Sequence, residues 1–171
     1  MTNQTNTGEN QCEDGDEPSL VCVDKFLSAI DQYLQSEGVR SCKVNPEAEK
    51  AINLDSETIK VLTHDELFRY AYILYQYCNY VQGIFNKHLV KLKWVEEQLS
   101  KIVSSQASQF DKYMKWEQKR HAAIQNDEFA KVLWELKLSA EGKVTWLSDK
   151  IRDMRKQADV LFELAKGKRY R

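Results

Sequence analysis

Between Phe110 and His121 the chain interleaves cations with rings: Lys112, Lys115, Lys119 and Arg120 alternate with Tyr113 and Trp116. Upstream, Lys91, Lys93 and Trp94 repeat the pattern. Cations draw phosphates with a salt-dependent strength, and aromatic rings offer stacking faces to any base. Residues of these types suit a single strand of nucleic acid held without reading its sequence. The segment also has a plainer reading as an exposed helix, because Asp111–Lys115, Glu117–His121 and Glu97–Lys101 are spaced as i,i+4 pairs.

Catalytic signatures are missing. The chain has no GxxxxGK[ST] or GxGxxG loop to cradle a phosphate. His64, His88 and His121 stand 24 and 33 residues apart with no HExxH or CxxC beside them, which argues against a zinc site and leaves no metal or cofactor expected. Glu96 and Glu97 are adjacent, so on a helix they point apart and make no acid–base pair. Cys12, Cys22, Cys42 and Cys78 form no CxxC pair and read as reduced thiols of a cytoplasmic protein. No run of apolar residues is long enough for a membrane span, and the polar, acidic start has no h-region of a secretory signal.

Long helices must position the basic–aromatic stretch. From Thr63 to Ile102 two rows of residues recur every seven positions. One is Leu67, Leu74, Val81, His88, Val95, Ile102; the other is Ala71, Cys78, Phe85, Leu92, Leu99. This is a heptad seam on one helix of roughly 40 residues, about 60 Å long. Thr63 and Glu66 fit a capping box at its start, with Leu62 and Leu67 as a hydrophobic staple. Past Ile102 the apolar phase slips to Val103, Phe110, Met114, His121 and Ile124, with a weak point at Ser104-Ser105. Gln125 to Glu128 is the turn, with Asn126 or Asp127 capping the next helix. That last helix is expected from Glu128 to about Lys166, ended by Gly167. Its seam reads Phe129, Leu133, Leu136, Ala140, then Val144, Leu147, Ile151, Met154, Ala158, Leu161, Ala165, with a phase break at Gly142.

Three regions follow: a disordered acidic tail over 1–18, a short helical appendage and linker over 19–61, and a long helical hairpin over 62–171. The fold class is all-α, an antiparallel, coiled-coil-like hairpin. In the appendage, Ser19 can cap a helix ended by Gly38, and Asn45-Pro46 can open a second, with Pro46 at its first position. Gly83, inside the long helix, marks either a close helix approach or tolerated noise. Tyr70, Tyr77 and Tyr80 widen the first seam beyond what one partner helix covers, which calls for the N-terminal segment or another subunit, hence a homo-oligomer.

Charge is uneven. Residues 1–18 carry five acids (Glu9, Glu13, Asp14, Asp16, Glu17) and no base, which leaves +4 on the remainder. Residues 143–171 hold nine bases against four acids, including Arg152, Arg155, Lys156, Lys168 and Arg169. The tail is either a solubiliser or a cover for the basic surface until a polyanion displaces it.

The layout resembles a known family. Glu66-Leu67-Phe68-Arg69-Tyr70-Ala71 opens a Tyr-rich first helix, and Trp94-Val95-Glu96-Glu97 falls late in it. A polar turn follows, then Asn126-Asp127-Glu128-Phe129 opens a last helix with a basic end. Over roughly residues 62–170 this looks like the UvsY-type recombination mediators of tailed phages. The resemblance implies a small, helical, ring-forming protein that binds single-stranded DNA and helps a RecA-like recombinase replace single-strand-binding protein, in the host cytoplasm if phage-encoded. The Tyr-Tyr step of that family's DNA-binding stretch is absent here; Lys112, Tyr113, Lys115, Trp116, Lys119 and Arg120 occupy a comparable place. The leading expectation is therefore a non-enzymatic, oligomeric, single-stranded-DNA-binding recombination mediator. The alternative is a coiled-coil structural, scaffold or assembly protein of a phage particle that binds no nucleic acid. An enzyme subunit is the remaining class.

Overall fold

The computed structural model describes residues 20–39 and 42–169. Residues 1–18, the acidic tail, lie outside the described residues, as does the proposed cap Ser19. Among the described residues six α-helices follow in order: α1 (Leu20–Ser36), α2 (Ala48–Ile52), α3 (Ser56–Val61), α4 (His64–Gln106), α5 (Trp116–Asn126) and α6 (Glu128–Arg169). Helices α4 and α6 are 43 and 42 residues long and pack antiparallel. Leu67 and Leu74 share a cluster with Leu161 and Ala165, Cys78 and Val81 share one with Ile151 and Met154, and Val95 and Leu99 share one with Ala130 and Leu133.

The start of α4 is built as the sequence says. Thr63 Oγ1 accepts from the Glu66 amide at 3.3 Å, and Glu66 Oε2 accepts from the Thr63 amide at 2.7 Å. These bonds satisfy orphan donors of the first turn, and the Thr63 amide and hydroxyl, both donating to the Glu66 carboxylate, hold it below its usual pKa. Leu62 packs on the cluster that contains Leu67, as a staple would. Along the seam, Leu67, Ala71, Leu74, Cys78, Val81, Val95 and Leu99 are buried; His88, Phe85, Leu92 and Ile102 are half-buried.

The seam of α6 corrects its sequence reading. Buried and half-buried positions run Ala130, Leu133, Lys137, Ala140, Val144, Leu147, Ile151, Met154, Ala158, Leu161, Ala165, alternating three and four throughout. There is no break at Gly142. The apparent slip arose from placing Leu136 on the seam; the position belongs to Lys137, the buried charged residue among those described. Its ammonium bonds the Glu141 carboxylate, lies 3.5 Å from Glu96 of α4, and sits 5.4 Å from the Trp134 ring centroid. Both glutamates remain well exposed, so removing the cation strands no buried charge. Lys137→Met should therefore leave the melting temperature unchanged or raise it, since an apolar side chain of similar length completes the stripe. A thermal melt showing a loss of several degrees would mean that the ion pairs outweigh the desolvation they cost.

Other expectations shift as well. Gly167 does not end α6, which runs on to Arg169. Gly83 faces open space, so no helix makes a close approach there. Gly38 does end α1: at φ 75° it allows Gly38 N to reach the Gln35 carbonyl and Val39 N the Leu34 carbonyl, a Schellman closure. Pro46 sits in a turn before α2 instead of at its first position, and the Asn45 side chain accepts from the Glu47 amide at 2.9 Å. The linker from Asn53 to Leu62 holds α3, capped by Asp55, whose carboxylate accepts from the Thr58 amide at 2.8 Å.

The short helices end on side chains of α6. Gln157 Nε2 donates to the carbonyls of Ala51 and Ile52 at 3.4 and 3.1 Å. Lys168 Nζ donates to the carbonyls of Ile59, Lys60 and Leu62 at 3.5, 2.8 and 2.5 Å. A cation at a helix C-terminus satisfies orphan acceptors and meets the negative end of the dipole. Lys168 is thus committed to the fold. Tyr70 and Tyr77 pack with α2 and α3 residues in the same cluster, and Tyr77 stacks on Tyr80 at 6.1 Å. The tyrosines consequently find cover within one chain.

His88 is the polar member of the α4 seam. Burial lowers its pKa, with Lys143 and Lys91 adding to the effect. A folded pKa below the unfolded value means that the unfolded chain binds the proton more readily, so stability falls as pH drops through about 6.5 and levels off below the folded value. Compared with the parent, His88→Gln should gain in melting temperature between pH 7.5 and pH 5.5. A difference between the two proteins that does not change with pH would contradict this.

Candidate nucleic-acid interface

The basic–aromatic stretch forms the tip of the hairpin, and its first half, up to Lys115, is not helical. After Gln106 the chain makes a 3₁₀ turn (Ala107–Gln109), then Phe110 takes an extended conformation. Asp111 closes a turn: its side chain accepts from the Tyr113 amide at 2.8 Å and its carbonyl from the Met114 amide at 3.1 Å. Short polar side chains compete in this way for backbone donors that a helix would need. Lys115 is extended and caps α5, which begins at Trp116. The apolar phase Val103, Phe110, Met114, His121, Ile124 is therefore divided: Val103 and Ile124 are buried, Phe110 and Met114 half-buried, and His121 exposed. The Asp111–Lys115 pair falls in the turn and does not form, whereas Glu97–Lys101 does, at 3.7 Å.

The turn sets the six candidate residues apart in two groups. Lys112, Tyr113, Lys115 and Trp116 project from the loop and the first residue of α5; Tyr113 is 92% exposed and Trp116 54% exposed. Lys119 and Arg120 are half-buried along α5. Arg120 lies over the Trp134 ring at 5.2 Å, which ties α5 to α6. Among the described residues, Lys112, Lys115 and Lys119 have no carboxylate within ion-pair distance. No side chain caps the first turn of α5, so its leading amides stay open to an acceptor. In the upstream repeat, Trp94 is spent on structure: it packs in the tip core with Val95, Leu99 and Leu133.

The tip rests on a firm base. Ile124 of α5 packs with Val95, Leu99, Ala130 and Leu133. Asp127, the N-cap of α6, accepts from the Ala130 amide at 2.9 Å, which selects Asp127 over Asn126. Comparison of the chain with protein-family models, with curated proteins and with solved structures returns no match. The site must accordingly be read from its own chemistry: exposed cations and exposed rings side by side, on a loop held by a packed helix pair. Among the described residues no three His, Cys, Asp or Glu side chains gather as a metal site, and no helix is long and apolar enough to cross a membrane.

Sequence reasoning missed three residues that shape this region. Lys137 gives no hydropathic signal of burial. Trp134 carries no sequence signal that Arg120 and Lys137 both lie against it. Asp111 carried a usable signal, being a strong turn former between two polar stretches.

Proposed function

We propose that this chain is a non-enzymatic, oligomeric, single-stranded-DNA-binding recombination mediator that helps a RecA-like recombinase displace single-strand-binding protein. One observation carries the reading: among the described residues Lys112 and Lys115 pair with no carboxylate, and they stand beside two exposed rings at the tip of a long hairpin. Phosphate contacts plus stacking hold a strand without regard to sequence. Lys119 and Arg120 flank that cluster on α5. The layout shared with UvsY-type mediators supports the recombinase and single-strand-binding protein as partners and the host cytoplasm as the setting.

A second reading is a scaffold or assembly protein. It draws on the apolar residues that α6 leaves exposed, among them Trp146, Val160 and Leu164. Such residues also suit a homo-oligomer, so they serve either reading. A gel-shift titration with single-stranded DNA at two salt concentrations separates the two. A mediator binds, and its affinity falls with salt. A protein that self-associates in light scattering yet binds no single strand at low salt is the scaffold.

A further inference from the structure

A second group of cations lies on the shaft of the hairpin. Arg152, Arg155 and Lys156 of α6 line a groove of about 350 Å³ together with Gln82 and Phe85 of α4. Arg152 pairs with Asp149 at 3.1 Å and Asp153 at 3.7 Å, both on its own helix. Among the described residues, Arg155 and Lys156 pair with no carboxylate. Asp159, the acid that lines the groove, is held by the Tyr75 hydroxyl, which donates to it at 2.5 Å. That bond, with partial burial and the nearby acids adding to it, pushes the Tyr75 pKa up to about 12, so the phenol remains a donor to the carboxylate at neutral pH. Phe85 is half-buried at this groove, an aromatic wall beside free guanidinium and ammonium groups.

The position of the groove links it to the tip. Trp134, Glu141, Ser148 and Arg155 recur every seven residues, so they share one flank of the α6 seam. Arg120 of α5 lies over Trp134 on that flank. The short helix α2 is bound by Gln157, on the opposite flank. The groove and the inner edge of the tip therefore look out on the same side of the molecule. They are 21 residues apart along α6, or about 32 Å at 1.5 Å per residue.

We infer that the Arg155–Lys156 groove is a second contact for single-stranded DNA, lying on one track with the tip and engaging the phosphates of a strand already held there. This rests on the proposed function and extends it from a tip contact to a path along the hairpin. At 3.4 Å per stacked nucleotide the groove and the Arg120–Trp134 edge of the tip are roughly nine nucleotides apart. Strand length is thus the discriminating variable.

The test is fluorescence anisotropy with labelled oligothymidylates of about 4 and about 15 nucleotides, lengths on either side of the roughly nine-nucleotide separation. The parent is compared with an Arg155→Gln/Lys156→Gln protein across a salt series. Both residues are exposed and outside the core, so the variant folds; a circular dichroism melt accompanies each titration. The expected result is a several-fold loss of affinity for the long strand alone, with its salt slope reduced by about 1.4, at 0.7 per phosphate contact. A long-strand affinity and slope equal to the parent's would overturn the groove as a contact while leaving the tip reading intact. Equal losses at both lengths would overturn the shared track, since they report only a weaker overall field. A parent that binds neither strand would remove the proposed function and the groove with it.

Discussion

Val81→Asp is expected to destabilise the protein by about 3–5 kcal/mol, the cost of a buried charge without a partner. Val81 is 5% exposed and packs with Cys78, Ile151 and Met154 at mid-seam. That cluster holds no cation to pair with a carboxylate, and a neutralised acid would still forfeit the apolar contact. For a chain of this size each kcal/mol shifts the melting temperature by about 2–4 °C, so the drop should exceed roughly 6 °C. Thermal unfolding followed by circular dichroism measures it. A variant that melts within 2 °C or so of the parent would place Val81 at the surface and refute the register of α4 against α6.

The other large effect concerns binding. Tyr113→Ala/Trp116→Ala should weaken single-strand binding by about 1–3 kcal/mol per stacked ring, while the salt slope stays near the parent value. Lys112→Ala/Lys115→Ala should behave differently, weakening all sequences alike and lowering the slope by about 1.4. The 92% and 54% exposure of the two rings means that neither variant disturbs the core, and surface changes of this kind rarely move stability by more than about 0.5 kcal/mol. Affinity and melting temperature must be measured on the same preparations. If both stable variants bind single strands as the parent does, the tip is not the site.

How much of this could be read from the sequence varies by element. The α4 seam was legible because apolar side chains at heptad spacing have few other uses, and the Thr63–Glu66 box is a local signal at fixed offset. The α6 seam was legible only in part. Its seventh-residue rhythm passes through Lys137, and a charge buried by ion pairs and a tryptophan face looks like surface to any hydropathy rule. The composition of the candidate site was plain in the sequence, but its shape was not. Lys and Trp at short intervals suit a helix as readily as a loop, and it was the Asp111 turn that settled the backbone. The bonds from Gln157 and Lys168 had no local trace, because each reaches a carbonyl more than one hundred residues earlier.

Those last bonds bear on the order in which the protein can assemble. Helices α2 and α3 have 5 and 6 residues, far below the length at which a helix holds itself in water. Their terminal carbonyls are met by side chains at positions 157 and 168, which leave the ribosome after α1 to α5 have been made. During synthesis these two segments therefore have no means of completing themselves, and α4 waits with its tyrosines uncovered. Folding of the base is a late, long-range event of high contact order, whereas the tip can close as soon as the first turns of α6 appear. Docking of α2 and α3 on α6 thus closes the longest loops among these contacts, and contact order alone places it after the pairing of the tip.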